Sequence, residues 1–462
     1  MDILFFLVAF AGVFLATFLS LGTGFLAVIA VGYFSGVIRA NYLGVFTAFM
    51  FDAAVLGLYL GFFFRRSLRA RRVEAGLARP LVLFLIAWPA FLCLVPVNYF
   101  LIQCVALRAA IWFLPVLLIA ARLTTADLAV LARGLVVLNL VALAVGVYIY
   151  LYGVEVLYPV NAITQIIYNS NDVAGHKYHR VPSSFLSAHA YGGTMFYTLP
   201  FLFDRLAGVA VRLLDRCLAL GGVVAAAGGM LMCGARSPLV VSGFALVIAC
   251  VLTRFWLKLG LVAAVLVWVG LVVARSDERL KRITTLEDSE FVSQRIYGSA
   301  NEGFLEILIH YPFGAGMGSA VGTSIPFFLA HLAPEPIGLE NEYSRILVDQ
   351  GWFGLAGWLA FLVWLFVRPP LARPPAPWGL GVVFMYSLTL TCWATAFLGA
   401  GMLTSIPGTF LLLTQMGVLV SVRNQGAVPE AVTGSTEDPA DLEVEAAGWD
   451  QGDQLRHCEK TL

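Results

Sequence analysis

The sequence predicts an all-α, polytopic transmembrane bundle, and both its composition and its uneven distribution of charge indicate this class. Hydrophobic residues make up 60% of the 462 residues, charged residues only 12%, and the mean hydropathy is +0.86. A soluble globular protein carries about 25% charged residues. The chain is therefore predicted to be an integral membrane protein whose charged side chains collect in a few loops.

The positions of the long apolar runs predict the individual spans. A bilayer core of about 30 Å requires about 20 apolar residues per helix. The predicted spans cover residues 3–19, 22–38, 42–64, 81–98, 101–121, 134–151, 190–207, 217–233, 238–253, 256–273, 347–367, 378–398 and 403–421. We expect 12–13 spans, because the first two runs also fit one broken hairpin.

Arginine-rich loops predict the orientation. One short loop contains Arg65, Arg66, Arg69, Arg71, Arg72 and Arg79. Such loops stay in the cytoplasm, and four further basic loops fall on the same side when the spans are counted onward. The two long loops, residues 152–189 and 274–346, then face the exterior. ATP and nucleotide sugars are absent there, so a reaction at that face requires a pre-activated substrate.

Both ends of the chain are predicted separately. The first apolar run has no Lys or Arg before it, so it lacks the basic region of a cleaved signal peptide and is expected to stay as a span. Residues 1–421 form the transmembrane domain. Residues 422–462 are polar and acidic, a composition that does not support a folded core, and we expect a disordered cytoplasmic tail.

The first external loop and a short turn supply two candidate anion-binding arginines. Arg180 lies just before the predicted span that follows this loop, and Arg236 lies in a turn where Pro238 suits the first turn of the next helix. A helix start beside a guanidinium favours an anion. The alternative for Arg236 is a side chain that extends to the lipid headgroups. His176 and His179 complete no metal-ligand pattern, so no metal site is expected.

The second external loop contains an amphipathic segment, a glycine-rich turn and a charged cluster. Residues 299–311 have a helical apolar face, and Pro312 ends this segment. Gly314, Gly316, Gly318 and Gly322 follow; we expect them to permit tight turns or close approach of a ligand, because no strand precedes them as a dinucleotide fingerprint requires. A helix from Gly338 is predicted to continue into the next span, with an Arg345–Asp349 pair; a charged helix cap is the alternative reading of this cluster.

Taken in order, these features resemble the O-antigen ligase and polymerase superfamily of bacterial envelope enzymes over roughly residues 180–367. The resembling residues are Arg180 through Gly193; Gly234, Ala235, Arg236 and Ser237; Arg295 with the following amphipathic segment, His310, Pro312, Gly314 and Gly316; and Asn341, Tyr343, Leu347, Gly351 and Gly354. Many ligases of the family have His just before the Asn of the last motif, where this chain has Glu340. This departure favours a polymerase that joins repeat units over a ligase that transfers them to lipid A core.

The resemblance implies a GT-C-like, metal-independent glycosyltransferase without a cofactor in the bacterial inner membrane. It implies a polyprenyl pyrophosphate-linked oligosaccharide as substrate at the periplasmic face, surrounding membrane lipid, a flippase and a chain-length regulator as partners, and no nucleic acid. The residues expected to bind the pyrophosphate are Arg180, Arg236, Arg295, Arg345, Tyr343 and Asn341. The expected catalytic base is Glu340, followed by Glu342 and then His189.

Two rival functions follow from the same sequence. A transporter or lipid-oligosaccharide flippase would carry ionisable groups on broken helices near the bilayer midplane. Asp52 is almost the only acid predicted to be buried away from the ends of a span, and no internal repeat is evident. A scaffold whose external loop binds another protein is the second rival.

Overall fold

A computed structural model describes residues 1–65, 76–169, 180–208, 211–253, 301, 303–320, 325–333, 339, 341–370, 378–399 and 401–425. All regular secondary structure within these ranges is helical, which confirms the predicted all-α class. Several sequence predictions lie outside the described residues: the span at 256–273, the tail beyond residue 425, His176 and His179, Gly322, and the roles of Arg295 and Glu340.

The α-helices in chain order are α1 (Asp2–Leu19), α2 (Leu21–Asn41), α3 (Val45–Ala48), α4 (Met50–Phe64), α5 (Ala78–Leu92), α6 (Phe100–Ile111), α7 (Leu114–Ala120), α8 (Thr125–Tyr152), α9 (Gln165–Asn169), α10 (Ala188–Ala207), α11 (Leu213–Met232), α12 (Arg236–Thr253), α13 (Phe304–His310), α14 (Glu342–Phe366), α15 (Gly379–Ala394) and α16 (Gly408–Gln425). Short 3-10 segments cover Val154–Val156, Phe327–Leu332 and Ala396–Leu398.

Within the described ranges, seven helical stretches are long and apolar enough to cross a membrane. They are Asp2–Leu19, Leu21–Asn41, Phe100–Ala120, Thr125–Tyr152, Leu213–Met232, Arg236–Thr253 and Glu342–Phe366. Shorter apolar helices are Met50–Phe64, Ala78–Leu92 and Gly379–Ala394. The described part of the chain therefore has the helices of a multi-pass membrane protein.

The helices divide into an outer and an inner set. On α1, Leu4, Leu7 and Leu15 are exposed, as expected for side chains that face lipid, whereas α15 and α16 are buried along nearly their whole length. Without water on the outside, helices associate through close packing at small residues. A Cβ on Gly417 of α16 would lie 2.4 Å from the Leu117 carbonyl oxygen, so this glycine lets α16 contact α7 directly.

Helix α14 differs from the predicted uninterrupted helix. It begins at Glu342 rather than Gly338, and Gly351 interrupts it with φ 65° and ψ −167°. Residues 312–315 fill the break, because the Trp352 amide donates to the Pro312 carbonyl at 2.8 Å and the Ala315 amide donates to the Val348 carbonyl at 2.7 Å.

The glycines that follow Pro312 turn the chain as predicted. Gly314, Gly316 and Gly318 all have positive φ, a conformation that costs glycine little. Their lack of a side chain also permits close packing: a Cβ on Gly316 would lie 2.7 Å from Val97 Cβ. The expectation of tight turns is therefore confirmed at these three positions, while Gly322 lies outside the described residues.

Candidate functional site

Loops from several parts of the chain meet at one end of the bundle. We call this the large-loop end; it comprises residues 42–49, 153–169, 180–187, 233–235, 303–333 and 395–407, where the structure describes them. Helix α2 lies between two of these loops: a Cβ on Gly36 would lie 2.1 Å from the Phe185 carbonyl carbon, and one on Gly32 would lie 2.5 Å from Pro407 Cβ. All of the described candidate site residues lie at this end.

The segment that carries Arg180 is held rigidly against the helices. Residues 181–185 are buried. Ser183 has φ 52°, a strained conformation for a residue with a side chain, and its hydroxyl donates to the Ala142 carbonyl at 2.5 Å. The Val37 amide donates to the Ser184 carbonyl at 3.2 Å. These contacts fix the backbone next to Arg180.

Tyr158 also holds residues 183–185 in place through hydrogen bonds. Its hydroxyl lies 2.7 Å from the carbonyl oxygens of both Ser183 and Phe185. Burial raises the pKa of Tyr158 well above its ordinary value, so the phenol remains protonated and continues to donate. A buried tyrosine hydroxyl requires such a partner, and here the partners are the carbonyls on either side of Ser184.

Arg180 and His189 contact each other directly, with 2.6 Å between Arg180 Nη1 and His189 Nε2. Ser187 begins helix α10 by accepting from the Ala190 amide at 3.1 Å, which places His189 in the first helical turn. A guanidinium has only donors, so His189 Nε2 is the acceptor in this hydrogen bond and the ring proton resides on Nδ1. The imidazole is neutral in this contact.

The turn before Arg236 packs against Arg180 and against α10, the helix that carries His189. A Cβ on Gly234 would lie 3.9 Å from Arg180 Cγ, and one on Gly192 of α10 would lie 2.4 Å from Cys233 Sγ. The structure therefore brings Arg180, His189 and the beginning of the Arg236 helix together. These residues come from two separate parts of the chain, residues 180–192 and 233–236, and the sequence analysis expected Arg180 and Arg236 to act together.

Glu342 and Arg345 form a buried pair on the first turn of α14. Glu342 Oε1 accepts from Arg345 Nε at 2.9 Å and also contacts Arg345 Nη2. Glu342 Oε2 accepts from the amides of Gly401 and Met402 at 2.7 and 3.1 Å. The Glu342 side chain is fully buried. With both oxygens occupied, this carboxylate anchors Arg345 and the 401–402 loop, and it acts as a base only if those donors leave.

Asn341 and Tyr343, both predicted to contact substrate, have structural partners in this state. Asn341 Oδ1 caps α14 by accepting from the Tyr343 amide at 2.8 Å, and its Nδ2 donates to Asn301 Oδ1 at 2.8 Å. The Tyr343 hydroxyl donates to the Trp393 carbonyl. The cap of this helix is therefore the neutral Asn341, a residue type that is strongly preferred at that position, with charged Glu342 in the first turn behind it.

The expected ion pair between Arg345 and Asp349 is replaced by the pair with Glu342. Asp349 Oδ1 instead accepts from the amides of Gly318 and Ala320 at 3.2 and 3.0 Å. The sequence analysis predicted no partner for this glycine-rich turn. Its amides orient the Asp349 carboxylate toward residues 318–320. Arg345 also lines a small pocket together with Gln350 and Thr409.

Several residues that shape the site were missed by sequence reasoning. Tyr158, Ser183, Gly401 and Met402 act through backbone contacts with residues far away in sequence, and no short motif indicates them. Among the described residues, no group of three or more His, Cys, Asp or Glu side chains is arranged to hold a metal ion.

Comparison with known proteins adds no assignment. No protein-family model matches the chain, and no curated protein matches it.

Proposed function

We propose that this protein is an external-face glycosyltransferase that polymerises polyprenyl pyrophosphate-linked oligosaccharide repeat units into an exopolysaccharide or O-antigen. The observation that carries the proposal is the convergence of Arg180, His189 and the Gly234 turn before Arg236 at one end of the bundle. The order of motifs that resembles the O-antigen ligase and polymerase superfamily supports it. Transfer to lipid A core, as in a ligase, is the alternative within the same chemistry.

The charge of the site fits the proposed reaction. Attack on the anomeric carbon breaks its bond to the pyrophosphate, and negative charge develops on the leaving oxygen. Fixed guanidinium groups stabilise such charge through charge-assisted hydrogen bonds without a metal ion. We assign this role to Arg180 and Arg236, whose segments meet at the Gly234 turn, and to Arg345, which pairs with Glu342; Arg295 remains a predicted fourth contributor.

The acceptor hydroxyl also needs a base within hydrogen-bond reach. Glu340 remains the first candidate from the sequence. Among the described residues, neutral His189 is the stronger candidate, because the oxygens of Glu342 already accept four hydrogen bonds. His189 would take the proton after Arg180 turns from its Nε2 toward the bound pyrophosphate.

The proposal includes the finer topology. Twelve to thirteen spans place the large-loop end at the periplasmic face of the bacterial inner membrane, following the arginine bias of the opposite loops. The architecture would then be that of a GT-C-like enzyme, with a flippase that delivers the lipid-linked units and a regulator of chain length as partners.

The decisive experiment uses purified protein in proteoliposomes with a lipid-linked repeat unit as the sole substrate. A ladder of products with release of polyprenyl pyrophosphate is expected, and product formation only after lipid A core is added would indicate a ligase. Arg180→Gln should slow release about 100- to 1,000-fold, because one stabilising donor set is lost.

The matched control for that variant is Arg133→Gln. Arg133 pairs with Asp215 at 3.8 Å and is 63% exposed at the opposite end of the bundle, so its loss removes one positive charge without touching the site. Full transfer activity in Arg180→Gln would refute the proposed role of the Arg180 group. Glu340→Gln and His189→Gln, compared in the same assay, identify the base.

A lipid-oligosaccharide flippase or other transporter is the second candidate. The break at Gly351 in α14 and the buried Asp52–Arg108 pair favour it, because broken helices and paired ions within the membrane are common in transporters. Counterflow of a lipid-linked oligosaccharide across liposomes, without bond cleavage, would support transport over transfer.

A further inference from the structure

A second cationic group at the large-loop end consists of Arg39, Asp52 and Arg108. Arg108 holds Asp52 at two points, with 2.7 Å between Nε and Oδ1 and 2.5 Å between Nη2 and Oδ2. The Arg108 and Asp52 side chains are only 21% and 11% exposed. One guanidinium therefore already neutralises the carboxylate.

Arg39 adds a positive charge that this pair does not balance. It lies in the last turn of α2 and interacts electrostatically with both Arg108 and Asp52. Its Nε is buried and has no acceptor among the described residues. A buried donor without an acceptor destabilises the protein, and a charged donor does so more strongly. A ligand that supplies an acceptor would remove this cost.

The position of Arg39 on α2 directs it between two loops. Gly32, Gly36 and Arg39 lie on one face of the helix, at the spacing that places side chains above one another. Gly32 packs against Pro407, and Gly36 packs against the Phe185 backbone. Arg39 therefore faces the interior of the large-loop end rather than the outer surface of the bundle.

The surroundings of the group combine an aromatic cover with a lipid-facing surface. The Phe49 ring centre lies 5.3 Å from Arg108 Cζ, and the Phe328 ring contacts Phe49 edge-on at 6.2 Å. Nearby, Leu43 before α3 and Val45 and Phe46 within α3 expose apolar side chains. An occupant with an anionic head and an apolar tail fits these neighbours better than a free ion does.

We propose that Arg39 of α2 and Arg108 of α6 bind the phosphate group of a lipid headgroup. The two guanidinium groups and the one carboxylate leave a net single positive charge, which matches a phosphate diester and also attracts a diphosphate. Charge-assisted hydrogen bonds from Arg39 would supply most of the recognition. Phospholipid and polyprenyl diphosphate share this chemistry, and the binding test separates them.

The test measures binding to the full-length protein in neutral phosphatidylcholine nanodiscs with three probes: phosphatidylglycerol, a polyprenyl diphosphate and inorganic phosphate. We expect at least one of the lipids to bind and inorganic phosphate to bind far more weakly. Arg39→Gln should weaken lipid binding about 10- to 100-fold, the loss of a charged hydrogen bond. Arg39→Lys should retain part of the affinity, and Arg133→Gln should retain all of it.

A second variant is expected to change lipid affinity in the opposite direction. Asp52→Asn removes the competing negative charge, so lipid should bind more tightly if the group is an anion site. Unchanged binding in Arg39→Gln for all three probes would overturn the proposal, and equal affinity for inorganic phosphate would overturn its assignment to lipid. Because the readout is binding, these results do not depend on transfer activity. The transfer assay tests the proposed glycosyltransferase function, and the nanodisc binding assay tests the Arg39–Arg108 site, so failure of one proposal is distinguished from failure of the other.

Discussion

The Glu342–Arg345 pair and the Asp52–Arg108 pair lie at the same end of the bundle, but their carboxylates have different surroundings. Glu342 accepts from Arg345 and from two backbone amides of the 401–402 loop, and it joins residues within one turn of α14. Asp52 joins α4 to α6 and has Arg39 beside it as a second cation.

This difference distinguishes an ion pair that stabilises the fold from a charged group that can bind a ligand. Both oxygens of Glu342 accept hydrogen bonds, from Arg345 and from the 401–402 amides, so the pair can hold a loop in place without a ligand. Asp52 is neutralised by Arg108 alone, and Arg39 beside the pair adds a second cation, so the group carries one net positive charge that is available for an anion. The same pair of residue types therefore serves two purposes, and the surrounding donors decide which.

Glu342→Gln should have the largest effect on stability. It converts one carboxylate oxygen to an NH₂ group, so either Arg345 or the 401–402 amides lose their acceptor. Breaking a buried ion pair costs about 3–5 kcal/mol, and we expect a loss of that size in thermal or denaturant unfolding in mild detergent.

The control for Glu342→Gln is a double variant that also removes the positive charge of Arg345. Glu342→Gln with Arg345→Met should recover part of the lost free energy of unfolding, because no uncompensated guanidinium stays buried. Wild-type stability in the single variant would show that Glu342 does not anchor this region, and would return it to the list of candidate bases.

Gly351→Ala should have the next largest effect, because the break at Gly351 lets loop 312–315 reach α14. A Cβ there would lie 2.5 Å from the Phe313 carbonyl carbon, and φ is 65°. Strained backbone of this kind costs about 1–3 kcal/mol, and the clash adds to it. The measurement is again unfolding in detergent, together with the transfer rate.

Gly153→Ala is the matched control for the strain alone. Gly153 also has positive φ, at 93°, but nothing lies within 4 Å of a Cβ placed on it. It should therefore show the conformational cost without the clash. Equal losses in Gly351→Ala and Gly153→Ala would mean that contact with Phe313 contributes nothing, and that the break does not depend on this loop.

The sequence predicts some of this architecture and not the rest, for physical reasons. The helical class follows from apolar runs that must satisfy their backbone within the membrane. Arg180 and Arg236 were predicted to share a site because both lie next to span ends on the same face. The break at Gly351 was not predictable, because it depends on Pro312 and Phe313 from a different loop.

The local sequence pattern also did not predict which residues the charged side chains would pair with. Spacing permits Arg345 to pair with either Glu342 or Asp349; Arg345 pairs with Glu342, while Asp349 Oδ1 accepts from the amides of Gly318 and Ala320. Arg39 drew no attention in the sequence because a single arginine near the end of a span usually extends to the headgroups. The burial of its Nε and its position beside Arg108 emerge only from packing.

Phe328→Ala should have the smallest effect on stability and a distinct effect on binding. An aromatic pair contributes about 0.5–1.5 kcal/mol beyond burial, so the loss of the Phe49–Phe328 contact should be modest. Because this contact covers the Arg108 group, we expect phosphate-bearing lipid to associate and dissociate faster with little change in Kd. Stopped-flow binding in nanodiscs measures both rates. A large change in Kd with unchanged rates would indicate that Phe328 contacts the lipid itself, and the cover would then be part of the binding site.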